Sequence, residues 1–224
     1  MKFTHRHIVE SNGDFHIDDV PPGTYRLQAF LHDGSQVAPG FPVFGGKTLG
    51  QLKEDVVIPE HIDSPANSPL DLGNFVMQMK TVVKSGDPAP DFGVKTVTGE
   101  TLRLADFRGK YVLLDFWATW CGPCRGETPN LKSVYDAHGS NPKFAMLSLS
   151  LDKTPEAPLA YAKTNGMNWA QGFLGEWSQA TLPARYGADG IPAIFLLDPA
   201  GKIVATDLRG EQIERTVRQA LAER

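Results

Sequence analysis

Residues 111–124 constrain the fold more than any other part of the chain. Tyr111–Trp117 is an almost continuous apolar run, broken only by Asp115, as expected of a central strand buried on both faces. It leads into Trp120-Cys121-Gly122-Pro123-Cys124, which holds the only two cysteines of the 224 residues. From Cys124 to His138, apolar or half-apolar residues recur at Leu131, Val134, Tyr135 and His138. That spacing predicts a helix, which Pro129 should kink. If the pair opens this helix, its sulfurs share a face, with Cα atoms about 5 Å apart, a span that a disulfide can bridge.

A strand, a turn and a helix place Cys121 near a helix N-terminus, where unpaired N–H groups and the helix dipole lower a thiol pKa. Cys124 lies one turn further in, where burial favours the neutral thiol. The expected division of labour is that Cys121 attacks a disulfide and Cys124 resolves the mixed disulfide. The competing readings are half of a zinc site, or two inert core cysteines. Zinc needs about four ligands, and no second CxxC or HxxxH follows. Two cysteines also exclude a disulfide-rich framework.

The chain divides near Lys84-Ser85-Gly86-Asp87-Pro88-Ala89-Pro90-Asp91, whose prolines and glycine forbid a continuous helix. The expected domains are 1–83 and 84–224. Before the linker the pattern is β: Tyr25, Leu27, Ala29 and Leu31 alternate on one face, and Val56–Ile58 and Phe75–Met79 are further short runs. Pro21-Pro22-Gly23, Asp33-Gly34 and Pro39-Gly40 mark turns between them. This predicts a small all-β sandwich. After the linker the pattern becomes α/β. A hairpin is expected over 92–104, strands over 144–151, 193–197 and 203–208, and helices from Thr154-Pro155-Glu156, over 177–187 and over 211–223.

The run 112–124 closely resembles the active-site strand and turn of thioredoxins, and residues 86–223 resemble the TlpA/ResA-type thioredoxin-like proteins of bacterial envelopes. Ala89-Pro90-Asp91-Phe92, the stretch 104–110, Glu127-Thr128-Pro129 and Gly190-Ile191-Pro192-Ala193 carry the match. The resemblance implies a thioredoxin-like fold, with a central mixed sheet flanked by helices, and a thiol–disulfide oxidoreductase with no cofactor beyond a Cys121–Cys124 redox disulfide. It implies a cis bond before Pro192, so that the Ile191 backbone can pair with an extended substrate. Asp115 matches a buried acid that relays a proton with Cys124, although many TlpA/ResA-type proteins lack an acid there. Glu127 matches a glutamate found near the cysteines, or is a plain first-turn acid suited to the dipole. Trp120, Gly122, Pro123, Ile191 and Pro192 would form the substrate-binding surface, with Trp117 packed in the core. Residues 152–187 resemble the segment that this group inserts into the minimal fold. Gly-Pro between the cysteines resembles reducing thioredoxins, which implies a potential nearer about −270 than −120 mV.

The run 13–27 resembles the carboxypeptidase-regulatory-like β-sandwich modules of extracytoplasmic proteins, which implies a non-catalytic accessory domain. His5 and His7 alternate and could share a strand face, but no ligand spacing follows, and solvated histidines are expected there. The net charge of −4 comes from residues 1–80, with 6 basic and 10 acidic side chains, while the remainder carries 16 of each. No basic stripe invites nucleic acid or anionic lipid. Strand-like sequence close behind Met1 suggests a piece whose natural start lies upstream; any membrane association would come from there. The expected location is the cell envelope, and the expected partners are a protein thiol or disulfide and an upstream electron donor. The alternatives are a peroxiredoxin-type peroxidase, against which the missing Pro-x-x-x-Thr/Ser-x-x-Cys setting argues, and a non-catalytic binding module with a vestigial redox fold.

Overall fold

Residues 1–80 and 81–224 form two units. The structure, a computed structural model, describes residues 10, 12–32, 48–60 and 70–222.

In the first unit, β1 (Gly23–His32) pairs antiparallel with β2 (Thr48–Ile58), and β2 pairs with β3 (Gln78–Met79). Along β1 the half-buried Tyr25, Leu27 and Ala29 alternate with exposed Thr24, Arg26 and Gln28, the period of a strand with one covered face. Leu31 departs from this pattern and is exposed, next to a register shift between Leu31 and His32. Arg26 and Asp55 are directly opposite across the ladder, and the guanidinium donates to both carboxylate oxygens at 2.7 and 3.0 Å. The apolar run at 56–58 is only the end of β2, whose earlier Gln51, Lys53, Glu54 and Asp55 hide a strand from hydropathy. Among the described residues this unit holds one sheet; the second sheet that a sandwich requires is not among them. His5, His7, His61 and the turn signals at 33–34 and 39–40 lie outside the described residues.

The second unit is built on a mixed sheet. Its strands are β4 (Gly93–Thr96), β5 (Thr101–Arg103), β6 (Tyr111–Trp117), β7 (Phe144–Ser150), β8 (Ala170–Phe173), β9 (Ala193–Leu197) and β10 (Ile203–Ala205). Their order is β10-β9-β6-β7-β8-β4-β5, with β6, β7 and β8 mutually parallel and the other pairs antiparallel. The helices are α1 (Gly122–His138), α2 (Glu156–Asn165), α3 (Leu182–Arg185) and α4 (Glu211–Ala222), and α1 packs against α4. This is a thioredoxin-like fold, a mixed sheet flanked by helices.

The core explains the apolar run. Every residue of 112–117 is buried, with Phe116 and Leu114 fully so. Phe116, Tyr186 and Phe195 meet in a cluster with ring centroids 5.3 to 6.0 Å apart, a range in which aromatic pairs attract. Burial pushes the Tyr186 phenol upward, and its hydroxyl donates to the carbonyl of Pro90 at 2.8 Å. Leu131 and Val134 of α1 and Ile213, Val217 and Ala220 of α4 are buried at helical spacing.

Two helix expectations change. The predicted hydroxyl cap of α2 is absent: Pro155 occupies the N-cap, no side chain caps the helix, and Thr154 hydrogen-bonds the Glu156 carboxylate instead. Over 177–187 only one helical turn forms, Leu182–Arg185, bounded by Gly187 at φ +64°. That glycine also lets the chain pass close to the Thr81 carbonyl, where a Cβ would collide.

Candidate active site

The register of β6 places the site. Asp115 pairs with Ser148 of β7 on one side and with Ile194 of β9 on the other, so all three side chains share one face. Beyond the end of β6 the chain turns, with Cys121 N–H donating to the Ala118 carbonyl at 3.2 Å, and enters α1. Cys121 is the N-cap of α1 and Pro123 lies in its first turn, where a missing N–H costs nothing. β9 begins at Ala193, immediately after Pro192. The strand pair β6 and β9 therefore carries Asp115 in its interior, and leads to the cysteines from the end of β6 and to Ile191-Pro192 from the start of β9.

Cys121 and Cys124 are joined by a disulfide, with Cα atoms 5.3 Å apart. The sequence suggests that Cys121 is presented to solvent and Cys124 held back. In this disulfide state both are buried, with 5% and 3% of their surface exposed. Their asymmetry lies in their contacts. Cys121 Sγ accepts the Cys124 backbone N–H at 3.1 Å, the capping contact of α1, and lies 3.6 Å from the Ile191 carbonyl oxygen. The Ile191–Pro192 bond is cis.

Around this buried pair the rim is open. Trp120 is 59% exposed, Gly122 and Pro123 are exposed, and Ile191 is half-buried. Trp117 is buried and packs on Tyr161 of α2, ring centroids 5.3 Å apart. The two tryptophans thus occupy opposite environments. Trp169, just before β8, is also buried.

Asp115 is buried, and burial pushes its carboxyl up to about 7. Desolvation is the largest cause; a hydrogen bond from Ser148 and the charge of Arg209 oppose it, and the charge of Glu127 adds to it. The Ser148 hydroxyl donates to Asp115 Oδ2 at 3.3 Å and accepts the Trp169 indole N–H at 2.9 Å. With that acceptor position taken, the hydroxyl hydrogen is directed at the acid. Asp115 Oδ1 is buried and has no hydrogen-bond partner, an orphan of the kind found where a proton comes and goes.

Glu127 sits three residues after Cys124 in α1, and its Oε2 is taken by two N–H donors. It accepts the Asn130 side-chain N–H at 2.8 Å and the Gly210 backbone N–H at 3.0 Å, tying α1 to the residue before α4. Three further residues complete the site and were not singled out by sequence. Arg209 donates to the carbonyls of Pro192 and Leu208. Ser148 contacts the acid. Asp152, itself buried, takes donors from Thr119 and Ser150. One signal was available for Ser148 and Ser150: hydroxyls at alternate positions of the apolar strand Phe144–Ser150, on the face shared with Asp115. No group of three His, Cys, Asp or Glu among the described residues could hold a metal ion.

The sequence profile of the AhpC/TSA family matches residues 85–206, more than half of the chain. The chain belongs to that family. It is 30% identical over 131 residues to the thiol-disulfide oxidoreductase ResA of Bacillus subtilis (strain 168), covering 58% of this chain and 71% of that protein. It is 34% identical over 124 residues to the thioredoxin-like protein YneN of the same organism, covering 54% and 69%. Among solved structures, the thioredoxin domain of a thiol-disulfide oxidoreductase from Bacteroides vulgatus superposes with a TM-score of 0.57 at 35% identity, covering 62% of this chain and 98% of that domain. All three matches agree with a redox reading of the cysteine pair.

Proposed function

We propose that this chain reduces protein disulfides, with Cys121 attacking, Cys124 resolving and Asp115 handling the proton. The chain is a thiol–disulfide oxidoreductase of the thioredoxin-like type. The observation that carries the assignment of roles is the Cys121 sulfur at the N-cap of α1, in contact with the Cys124 N–H and 3.6 Å from the Ile191 carbonyl. An N–H directed at a sulfur stabilises its thiolate.

The Cys121 thiolate attacks one sulfur of a substrate disulfide; that S–S bond breaks, a mixed disulfide forms, and the departing sulfur takes a proton. Cys124 then gives its proton to the Asp115 carboxylate and attacks Cys121 Sγ. The mixed disulfide breaks, the second substrate sulfur leaves as a thiolate that takes a proton from solvent, and the Cys121–Cys124 disulfide forms. Two electrons pass from the enzyme to the substrate, and the product is the state of the enzyme described above. An upstream dithiol donor must restore the reduced pair. Ile191 and Pro192 dock the substrate backbone, with Trp120, Gly122 and Pro123 as the surrounding surface. We place the protein in the cell envelope, with the N-terminal unit as an accessory domain; the resemblance of both segments to envelope proteins supports this. Neither the peroxidase nor the vestigial reading is favoured, since the relatives are named as thiol-disulfide oxidoreductases.

The test is insulin-disulfide reduction. Cys121→Ser abolishes it, and Cys124→Ser accumulates a mixed disulfide on Cys121. Activity retained without Cys121 would refute the assignment of the nucleophile.

A further inference from the structure

Asp152 follows the end of β7 and is buried, with 3% of its surface exposed. Its carboxylate serves the opposite strand rather than solvent. Thr119 donates its hydroxyl to Oδ1 at 2.6 Å and its backbone N–H to Oδ2 at 3.1 Å. The Ser150 hydroxyl donates to Oδ2 at 2.8 Å and accepts the Asp152 N–H at 3.1 Å. The parallel ladder pairs Trp117 with Ser150, and the Leu151 N–H then donates to the Trp117 carbonyl at 2.9 Å. The Thr119–Asp152 contact thus extends the β6–β7 pairing past the strand ends, through a side chain.

Thr119 lies two residues before Cys121, inside the turn closed by Cys121 N–H to Ala118 O. That turn determines where Cys121 Sγ sits relative to the Cys124 N–H and the Ile191 carbonyl. A turn on a protein surface is free to relax unless something holds it; here a buried carboxylate accepts from both the backbone N–H and the hydroxyl of one of its residues. We propose that Asp152 is a positioning residue for the redox reaction: its clamp on Thr119 fixes the turn that seats Cys121 at the N-cap of α1. Asp152 touches neither sulfur; it acts through Thr119. The proposal rests on Cys121 being the attacking sulfur. Without the clamp, Cys121 loses the capping contact with the Cys124 N–H, and the thiolate loses the donor that stabilises it.

The experiment measures the pH midpoint of Cys121 alkylation by iodoacetamide in the reduced full chain. It compares wild type with Asp152→Asn, Asp152→Ala, Thr119→Val and Thr119→Ser, with near-UV circular dichroism checking each fold. Asp152→Ala is expected to raise the midpoint by about one pH unit, a tenfold loss in thiol ionisation. Asp152→Asn, which keeps one acceptor oxygen, and Thr119→Val, which keeps the backbone N–H, should move it less in the same direction. Thr119→Ser, which keeps the hydroxyl, should restore the wild-type value. The glutathione-equilibrium potential should shift in the same rank order. If folded Thr119→Val and Asp152→Asn both leave the midpoint and the potential unchanged, the clamp is merely structural and the proposal is wrong. If wild-type Cys121 itself shows no lowered midpoint, the fault lies with the choice of nucleophile, and the two failures are distinguishable.

Discussion

Replacing Asp115 with asparagine tests the buried acid through stability as well as through activity. Burial raises this carboxyl from an ordinary value of 3.8 to about 7. Between those two pH values the unfolded chain has released a proton that the folded chain still holds. Stability then falls as pH rises through the window, and levels off above the folded pKa. At about 1.36 kcal/mol per unit, the roughly three-unit rise costs the wild type about 4 kcal/mol at pH 8 and above, relative to acid. The substituted amide stays neutral and escapes that cost, whatever constant offset its altered hydrogen bonding with Ser148 adds. The stability of Asp115→Asn minus that of wild type should therefore grow by about 3 kcal/mol between roughly pH 5 and pH 8.5. The assay is urea unfolding of the disulfide form followed by tryptophan fluorescence. Trp117, Trp120, Trp169 and Trp177 all lie in residues 81–224, so the signal reports that unit alone. A stability difference that stays flat across this range would show that Asp115 is not a buried acid titrating near neutrality.

Three further outcomes follow from the same contacts. Ser148→Ala removes the hydrogen bond that favours the charged form of Asp115; difference infrared spectroscopy of the carboxyl should place its midpoint higher, by about one unit. Glu127→Ala removes the acceptor shared by Asn130 and Gly210, and urea unfolding should show a loss of about 1–3 kcal/mol; unchanged stability with lost turnover would instead make Glu127 a reacting group. Trp120→Ala exposes no core, since the side chain is already 59% exposed; steady-state kinetics on a protein disulfide should show a raised KM, while the unfolding midpoint stays within error.

The strand, turn and helix around the cysteines are legible in sequence because each rests on a local pattern. A buried strand needs an unbroken apolar run, a helix needs its period, and the pair needs only its spacing. β2 is not legible in the same way. Its 11 residues include Gln51, Lys53, Glu54 and Asp55, because a strand in a sheet with an open face carries polar residues there and its apolar signal shrinks to the last few positions. Residues 152–187 fall between these cases: α2 shows a helix start one residue away from the observed cap, whereas the bond from the Trp169 indole to Ser148 joins residues 21 apart and leaves no local pattern.

The two buried aspartates show what sequence alone leaves out. Asp115 and Asp152 are equally buried, each with 3% of its surface exposed, and each stands in an apolar setting. Their environments nevertheless differ in the number of donors. Asp152 receives the Thr119 N–H, the Thr119 hydroxyl and the Ser150 hydroxyl, whereas Asp115 receives one long bond from Ser148 and keeps an orphan oxygen. A carboxylate with several donors is a fixed anchor; one with a single donor in the same low dielectric is a site where a proton can bind. Both donor sets come from the same alignment. Ser148 is 33 residues from Asp115, and Thr119 is 33 residues from Asp152, so a single parallel register of β6 on β7 brings both contacts together. A slip of one residue would turn Ser148 to the other face, deprive Asp115 of its one donor and release Thr119. The register that tunes the acid is thus the register that clamps the cysteine turn, and the two cannot be varied independently by any change that moves β7.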